Sequence, residues 1–443
     1  MKITVIGTGY VGLITGLGLA DLGNEVMCID KITSKVSKLL KGISPIYEPG
    51  LAELLETQIK QGHIHFTNKM KEGINFSDII FLCVGTPGEE TGKADLSQVE
   101  ESSIYIAHNM DSYKLIIEKS TVPVNTNQKV KTVIKRYLKK DIEFDVASNP
   151  EFLREGSALD DFKHPDRIII GVESEKAKNI LLEIYKPFIE KNVPFIITTP
   201  AAAELIKHAS NSFLAMKISY INMVSELCEK VGADVNMVAE GMGYDKRINR
   251  AFLNAGIGYG GSCFPKDVKS FIRMAEEHSV DFSLIAEVEK INLKRRLNFI
   301  KKMKNVLWII KDKNIAVWGL SFKANTDDIR EAPSIDIIRE LEKEKANLKL
   351  YDPKAMENFK SIFPETKNIK YFDDKYNTLK DADALLILTE WDEFKKADLK
   401  KIKEKMRLPI IIDGRNIYKP KEMKQKGFEY YSVGRENFDL KGV

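Results

Sequence analysis

A single cysteine stands among residues that could make its thiol reactive. The stretch GYGGSCFPKD, residues 258–267, places Cys263 after a glycine run and three residues before Lys266. The small residues directly before the cysteine would let a ligand approach closely. The pattern of the segment that follows predicts a helix, so the thiol would lie near a helix N-terminus beside a cation. Both features lower the pKa of a thiol and favour the nucleophilic thiolate. This stretch alone leaves two interpretations open, a reactive thiol or a small side chain packed in a glycine-rich turn.

Two further pairs of polar residues could take part in the same chemistry. In AELIKHASNSF, Lys207 and Asn211 are four residues apart on one face of a predicted helix, so an ammonium and an amide could converge on one oxygen atom. In NPEFLREG, Glu151 and Glu155 follow the end of a predicted strand. Taken alone, each pair is also typical of a solvated polar surface. No histidine falls in these motifs, which argues against a 2-hydroxy-acid dehydrogenase with a histidine base.

The N-terminal segment has the pattern of a dinucleotide-binding turn. Gly7, Gly9 and Gly12 of ITVIGTGYVG lie between a predicted strand and a predicted helix, and the next strand, EVMCID, ends in Asp30. Such glycines let a pyrophosphate approach unpaired backbone N–H groups at a helix N-terminus. A carboxylate at the second strand end accepts hydrogen bonds from the ribose hydroxyls and repels a 2'-phosphate, which favours NAD over NADP. Nearby Lys35 weakens that distinction.

Two loops after later strands would lie where the rest of a dinucleotide extends. They are GTP, which contains Thr86, and STVP, which contains Thr121. Plain turns between a strand and a helix would look the same.

The order of predicted elements indicates three domains. Strand and helix patterns alternate from the N-terminus to about residue 200, helical patterns dominate residues 201–303, and the alternation returns in residues 304–443. The predicted fold class is therefore α/β, with two Rossmann-like, doubly wound domains joined by a helical central domain.

Composition and charge exclude several classes of protein. The 443 residues carry a net charge of +4 spread along the chain, which gives no electrostatic case for nucleic-acid binding. No apolar run is long enough to span a membrane, and the N-terminus lacks a signal-peptide pattern, so we expect a cytoplasmic protein. The four cysteines are far apart without a CxxC pair, which disfavours a zinc site and a disulfide framework. We expect no metal.

Eight motifs occur in one order along nearly the whole chain: GTGYVG, VGTP, STVP, NPEFLREGSA, KHASNSF, GYGGSCFPKD, GLSFKANTDDIREAPS and DGRN. This series resembles the nucleotide-sugar dehydrogenases of the UDP-glucose/GDP-mannose dehydrogenase family. The resemblance implies an NAD-binding domain, a helical linker that carries a dimer contact and a UDP-binding domain. It also implies NAD-dependent, four-electron oxidation of UDP-glucose to UDP-glucuronate. A sister activity on GDP-mannose or a UDP-N-acetylhexosamine, or a nucleotide-sugar sensor without turnover, are the alternatives.

The resemblance also assigns catalytic roles. Cys263 would capture the aldehyde as a thiohemiacetal and then carry a thioester, which divides the oxidation into smaller steps. Lys207 and Asn211 would stabilise the substrate oxygen, and Asp267 would work with the lysine and an ordered water in proton transfer. Glu151 would activate the hydrolytic water. Thr121 would orient water or the nicotinamide.

The remaining implied contacts belong to the two ligands. Arg330 would reach back to NAD, and Arg247 would come from the other subunit of a homodimer. The implied NAD contacts are Gly7, Gly9, Val11, Gly12, Asp30, Lys35, Thr86, Thr121, Glu155, Lys266 and Arg330. The implied UDP-sugar contacts are Glu151, Phe152, Leu153, Arg154, Glu155, Lys207, Asn211, Arg247, Ile257, Gly258, Tyr259, Gly260, Gly261, Phe322, Lys323 and Arg415.

Overall fold

The computed structural model describes residues 1–89 and 91–437. Its contacts divide the chain into two compact units. The first contains residues 1–210 and 269–280, and the second contains residues 211–268 and those from 281 onward. The last six residues of the predicted 304–443 domain lie outside the described part.

The first unit is built on an eight-stranded sheet. Its order is β3-β2-β1-β4-β5-β6-β7-β8, and every neighbouring pair is parallel except β6 and β7, where Ser148 lies opposite Gly171. The α/β prediction is confirmed, although the sheet is not wholly parallel. The strands are β1 Lys2–Ile6, β2 Glu25–Ile29, β3 Ile64–Thr67, β4 Ile79–Leu82, β5 Lys114–Glu118, β6 Phe144–Ser148, β7 Ile168–Gly171 and β8 Phe195–Thr198.

Helices connect these strands and cover the sheet. Helix α1 is buried continuously from Gly12 to Ala20, because the glycine-rich face lets it pack closely on the strands. The surface helix α3 instead buries one stripe that includes Leu51, Leu54 and Leu55. The helices are α1 Tyr10–Asp21, α2 Thr33–Leu39, α3 Leu51–Gln61, α4 Met70–Phe76, α5 Ser97–Asn109, α6 Thr126–Tyr137, α7 Ala158–Lys163, α8 Glu175–Ile184 and α9 Lys186–Ile189.

The helical central region that the sequence predicts is present. It contains α10 Pro200–Val231, α11 Val235–Gly243, α12 Phe264–Glu277 and α13 Ser283–Leu307. Helix α10 begins in the first unit and ends in the second, whereas α12 begins in the second unit and ends in the first.

The second unit contains a six-stranded, wholly parallel sheet of order β11-β10-β9-β12-β13-β14. The strands are β9 Asn314–Trp318, β10 Asn347–Tyr351, β11 Ile369–Tyr371, β12 Ala384–Ile387, β13 Ile410–Asp413 and β14 Glu429–Tyr431. The helices between them are α14 Pro333–Lys343, α15 Met356–Lys360, α16 Asp392–Lys395, α17 Leu399–Lys405 and α18 Pro420–Gln425, with a 3-10 turn at Lys375–Asn377.

Each sheet has its own apolar core. The central strands β4 and β12 are buried along their whole length, as strands covered on both faces must be. Among the described residues, no helix combines the length and the apolar content needed to cross a membrane.

Candidate active site

The glycine turn after β1 has the shape that a bound pyrophosphate needs. Gly7 has a φ of 95°, which favours glycine, and α1 begins directly after Gly9. A Cβ on Gly12 would lie 1.9 Å from the Gly7 carbonyl oxygen, so the third glycine is required for packing. A Cβ on Gly9 would meet nothing within 4 Å. The open side of the turn is therefore at Gly9, beside the N–H groups that begin α1, and these residues fit a dinucleotide.

Asp30 lies directly after β2, where the sequence predicts the ribose contact. Its Oδ2 accepts hydrogen bonds from the Thr8 N–H at 3.0 Å, the Thr8 hydroxyl at 2.6 Å and Lys35 Nζ at 2.7 Å. Its Oδ1 accepts from the Ile32 N–H at 3.0 Å, which leaves lone-pair capacity on that oxygen. Burial raises the pKa of Asp30, but the hydrogen bonds from Lys35 and Thr8 outweigh it and hold that pKa below its ordinary value. An ionised carboxylate whose Oδ1 can accept a further hydrogen bond suits the two hydroxyls of a ribose.

The two predicted loops meet at the ends of neighbouring strands. Thr86 follows β4 and Thr121 follows β5, and the Thr86 hydroxyl donates to the Thr121 carbonyl oxygen at 2.8 Å. Ser120 donates to the Val84 carbonyl oxygen at 2.8 Å, which ties the same loops a second time. Both lie at the carboxyl ends of parallel strands, where ligands of such sheets bind.

A buried ion pair joins two of the predicted catalytic residues. Lys207 on α10 donates from Nζ to Glu151 Oε1 at 3.0 Å, and both side chains are almost completely buried. The other oxygen of Glu151 accepts the Leu153 N–H at 2.5 Å. Phe152 lies between cations, since Lys207 Nζ is 5.4 Å and the Arg167 guanidinium 3.7 Å from its ring centre. A lysine held this way can donate to a substrate oxygen while the glutamate keeps its charge balanced.

Lys119 is a functional candidate that the sequence interpretation missed. Its buried Nζ donates to Asn149 Oδ1 at 3.0 Å, two residues before Glu151 along the chain. Burial lowers the pKa of Lys119 to about 8, an effect that Cys83 and Glu151 oppose and Lys207 strengthens. The only sequence signal is that this lysine directly follows β5, separated from its apolar residues by Glu118 alone.

Cys263 lies where the sequence predicts a reactive thiol. It directly precedes α12, its carbonyl oxygen accepts the Asp267 N–H at 2.8 Å, and the Ser262 hydroxyl oxygen lies 3.6 Å from its sulfur. Cys28, Cys83 and Cys228 are buried, whereas Cys263 is partly exposed. Helix α12 is 14 residues long, so its N-terminal N–H groups favour a thiolate at this position.

Asp267 organises the first turn of α12. Its Oδ2 accepts Asn211 Nδ2 at 2.6 Å, its Oδ1 lies 2.9 Å from Lys266 Nζ, and only 1% of its surface is exposed. The structure thus brings Asn211, Asp267 and Lys266 together one helical turn from Cys263. A buried aspartate between an amide and an ammonium can hold or pass a proton.

The glycine run before Cys263 is required by the packing of the chain itself. A Cβ on Gly260 would lie 2.3 Å from the Glu331 carbonyl oxygen, and one on Gly261 would lie 2.7 Å from the Phe322 ring. The sequence interpretation expected these small residues to provide room for a ligand. On the side where a side chain would project, protein atoms fill the space, which corrects the reason for these two glycines.

Arg415 holds the predicted substrate loops of the second unit. Its guanidinium donates to the carbonyl oxygens of Leu388 at 2.9 Å, Gly258 at 3.2 Å and Phe322 at 2.9 Å. The Ile257 N–H donates to the Gly414 carbonyl oxygen, and the Tyr259 N–H to Asn292 Oδ1. Most of the N–H groups of the Arg415 guanidinium therefore hold backbone carbonyl groups in place. Asn292, which the sequence interpretation also missed, performs the same task for Tyr259.

Four other predicted cations are more exposed. Arg154 pairs with Asp161, Arg330 with Asp328 and Arg247 with Asp245. Lys323 Nζ lies 5.4 Å from the centre of the neighbouring Phe322 ring.

The predicted residues therefore form two sets, each within one unit. The first unit holds the glycine turn, Asp30, Lys35, Thr86, Thr121, residues 151–155 and Lys207, and the second holds Asn211, Arg247, residues 257–261, Cys263, Lys266, Asp267, Phe322, Lys323, Arg330 and Arg415.

Three domains of one protein family match the chain in order. The family's NAD-binding domain matches residues 1–189, its central domain residues 201–294 and its UDP-binding domain residues 316–420. The chain belongs to the UDP-glucose/GDP-mannose dehydrogenase family. The predicted resemblance is confirmed, and membership of this family makes the protein an NAD-dependent oxidoreductase.

Known members of the UDP-glucose/GDP-mannose dehydrogenase family match over nearly their full length. UDP-glucose 6-dehydrogenase TuaD of Bacillus subtilis (strain 168) is 46% identical over 98% of this chain and 93% of its own. A UDP-glucose dehydrogenase structure from Pyrobaculum islandicum has a TM-score of 0.90 at 35% identity, covering 98% of both chains. The UDP-D-ManNAc dehydrogenase structure from Pyrococcus horikoshii has a TM-score of 0.85 at 29% identity, covering 98% of this chain and 99% of its own.

Proposed function

We propose that the protein oxidises UDP-glucose to UDP-glucuronate with NAD, through a thioester on Cys263. The observation that carries this proposal is the position of the thiol at the start of α12, one turn from the buried Asp267 and its partners Asn211 and Lys266. Relatives named UDP-glucose 6-dehydrogenases support the choice of sugar.

The thiol chemistry balances as two oxidations and one hydrolysis. NAD, when bound, would accept a hydride in each oxidation. Loss of one hydride and one proton from the primary alcohol gives an aldehyde, and Cys263 sulfur adds to its carbon to form a thiohemiacetal. Loss of a second hydride and a proton leaves a thioester. Water then replaces the sulfur and releases the carboxylate, the thiol and one proton.

The buried charges support a proposal for the groups that handle protons. Lys207, paired with Glu151, and Asn211, paired with Asp267, supply donors for the oxygen on which negative charge develops. Asp267 is the group that exchanges protons with a bound water. Glu151 is the proposed base for the hydrolytic water, and the Leu153 N–H, which its second oxygen accepts, supports this role by fixing the carboxylate.

A stoichiometric assay tests this function. With limiting UDP-glucose and excess NAD, absorbance at the NADH band should report two NADH for each sugar, and the product should be a uronate. One NADH for each sugar would exclude the thioester route. A panel containing GDP-mannose and UDP-N-acetylhexosamines identifies a sister activity, and no turnover with any sugar would indicate a sensor.

The covalent step is tested by a single substitution. Cys263→Ala should abolish uronate formation and leave NAD binding largely intact, because Cys263 is not among the proposed NAD contacts. Cys228→Ala is the matched control, since it removes a thiol from α10 that the reaction does not use. Undiminished uronate production by Cys263→Ala would refute the thioester.

We also propose a homodimer, with Arg247 contributed to the partner's substrate. Helices α10 and α13 pack together, since Asn298 donates to Glu226 and Lys302 to Glu229, each at 2.6 Å. Exposed apolar side chains line the outer faces of both helices. Arg247 is the most exposed of the predicted site residues, at 89% of its side chain. A patch of this kind is typical of an interface. The apolar residues are Tyr220, Met223, Leu227, Val231, Leu293 and Leu297.

The proposed working compartment is the cytoplasm. All four cysteines are free thiols, which suits a reducing compartment. The proposed functional segments are residues 1–200 for NAD, 201–303 for assembly and 304–443 for the UDP-sugar.

A further inference from the structure

A buried carboxylate outside the predicted site connects two of its segments. Glu48 lies in the stretch IYEPG before α3 and is 4% exposed. Its Oε1 accepts the Ala158 N–H at 2.7 Å, and its Oε2 accepts the Gly156 N–H at 2.7 Å. These two N–H groups come directly after Glu155 and at the start of α7. One side chain therefore holds the end of the segment that carries Glu151 and Glu155.

The same carboxylate is bound to the dinucleotide turn. The Tyr10 hydroxyl donates to Glu48 Oε2, and the Gly156 nitrogen also lies 3.1 Å from the Tyr10 hydroxyl oxygen. Tyr10 is the first residue of α1 and directly follows Gly9. The turn that fits the pyrophosphate and the glutamate segment thus share one buried acceptor.

The hydrogen bonds at position 48 require a glutamate. An ionised carboxylate has two oxygens that only accept, so it satisfies three donors at once. A glutamine would turn an NH₂ group toward an N–H or a hydroxyl and leave a buried donor unpaired. Residues 150–154 contain neither helix nor strand, so side-chain contacts hold this segment, with Lys207 and Asp161 at residues 151 and 154 and Glu48 at its end.

We propose that Glu48 is a positioning residue that fixes the segment carrying Glu151 and Glu155 relative to the NAD-binding turn, with Tyr10 as its link to that turn. The kinetic part of this inference rests on the proposed function. Misplacing a reacting group by about 1 Å can cost about 100-fold in rate. Loss of the carboxylate should therefore slow the chemistry more than it weakens either ligand.

The test compares Glu48→Gln and Tyr10→Phe with the control Glu53→Gln. Glu53 lies on the exposed face of α3, five residues away. Glu48→Gln should lower kcat about 10- to 100-fold, with KM for UDP-glucose and Kd for NAD changed less than threefold. Tyr10→Phe should cause a smaller loss, and the double variant should be no worse than Glu48→Gln, because both residues belong to one network. Glu53→Gln should match the wild type.

Hydrogen exchange provides a readout that does not depend on the substrate. Exchange of the peptide covering residues 150–160 should accelerate in Glu48→Gln, while the core strands β4 and β5 remain as protected as in the wild type. Unchanged exchange in that peptide, or acceleration throughout the first unit, would overturn the proposal, as would a kcat within twofold of the wild type. If the wild type itself does not turn over UDP-glucose, the proposed function fails, and the exchange result alone decides the role of Glu48. Should Glu48→Gln not fold, Tyr10→Phe carries the same test.

Discussion

Lys207 Nζ lies 3.0 Å from Glu151 Oε1, and the two side chains are 4% and 6% exposed. These residues are 56 positions apart in sequence and meet because α10 begins beside the end of β6. Because so little solvent reaches this pair, each side chain depends on the other to balance its charge.

Replacing one partner of this ion pair should destabilise the protein more than replacing both. We expect Lys207→Met to lower the free energy of unfolding by about 3 kcal/mol, since it leaves a buried carboxylate without its cation. The double variant Lys207→Met with Glu151→Gln should recover part of that loss. Urea denaturation measures each value. Lys60→Met, which removes an exposed pair with Glu56, is the control and should change little. Strictly additive losses in the double variant would contradict the pairing.

The stability of the first unit should depend on Glu204. Its carboxylate accepts the N–H groups of Asn125 at 2.7 Å and Asn127 at 2.9 Å, at the start of α6. Burial raises the pKa of Glu204 to about 7, although these hydrogen bonds and Lys129 lower it. Glu118 faces it from β5, and burial together with the charge of Glu204 raises the pKa of Glu118 well above its ordinary value.

The sign of the effect follows from proton binding. Between the ordinary carboxyl pKa and about 7, folded Glu204 binds a proton more tightly than unfolded Glu204, so stability falls as pH rises. From pH 5 to pH 8 this group alone should cost roughly 2 to 3 kcal/mol. The wild type should therefore lose that much more stability than Glu204→Gln over this range, by chemical denaturation. Exposed Glu175→Gln should follow the wild type, and parallel pH profiles for Glu204→Gln and wild type would contradict the prediction.

Cys263 should be the first cysteine that an alkylating reagent modifies in the folded protein. Cys28, Cys83 and Cys228 are buried, and burial raises the pKa of each of these three thiols, which lowers their reactivity further. Iodoacetamide at pH 7 followed by peptide mass spectrometry measures the four rates. Lys266→Met should slow alkylation of Cys263 several-fold because it removes a nearby cation, whereas exposed Lys290→Met should not. Faster labelling of any buried thiol would contradict the assignment.

Asp30 should determine the choice of dinucleotide. Replacing its carboxylate by an amide in Asp30→Asn removes charge-assisted acceptance of a ribose hydroxyl, which is worth about 1.5 to 3 kcal/mol, or roughly 10- to 100-fold in Kd. NADP should lose less affinity than NAD, because the repulsion of a 2'-phosphate also disappears. Calorimetric titration with both dinucleotides tests this, with Asp111→Asn, in an exposed loop, as control. Equal losses for NAD and NADP would show that Asp30 does not discriminate between them.

Mixing two inactive variants tests the proposed contribution of Arg247 across a dimer. If Arg247 serves the partner subunit, a mixed dimer of Cys263→Ala and Arg247→Ala contains one complete site, and activity should reappear when the two are unfolded and refolded together. Light scattering should give twice the chain mass for each variant. Activity that stays at the level of the separate variants would show that Arg247 acts within its own subunit or not at all.

Much of the fold follows from local patterns. The alternation of strand and helix segments, the long helices of residues 200–307 and the strand-turn-helix around Gly7 are all visible in the sequence, because periodicity and glycine spacing act over a few residues. The antiparallel placement of β7 is not visible, since one register contact between Ser148 and Gly171 decides it.

The candidate site divides in the same way. By itself the sequence determined the dinucleotide turn, Asp30 at the end of β2 and Cys263 before a helix, because each depends on neighbours along the chain. Only the tertiary structure decided that Lys207 pairs with Glu151, that Gly260 is small to fit against Glu331, and that Glu48 holds Gly156 from 108 residues away. Such contacts are set by burial and by the need to pair every polar group inside the protein, and no spacing in the sequence records which distant partner satisfies that need.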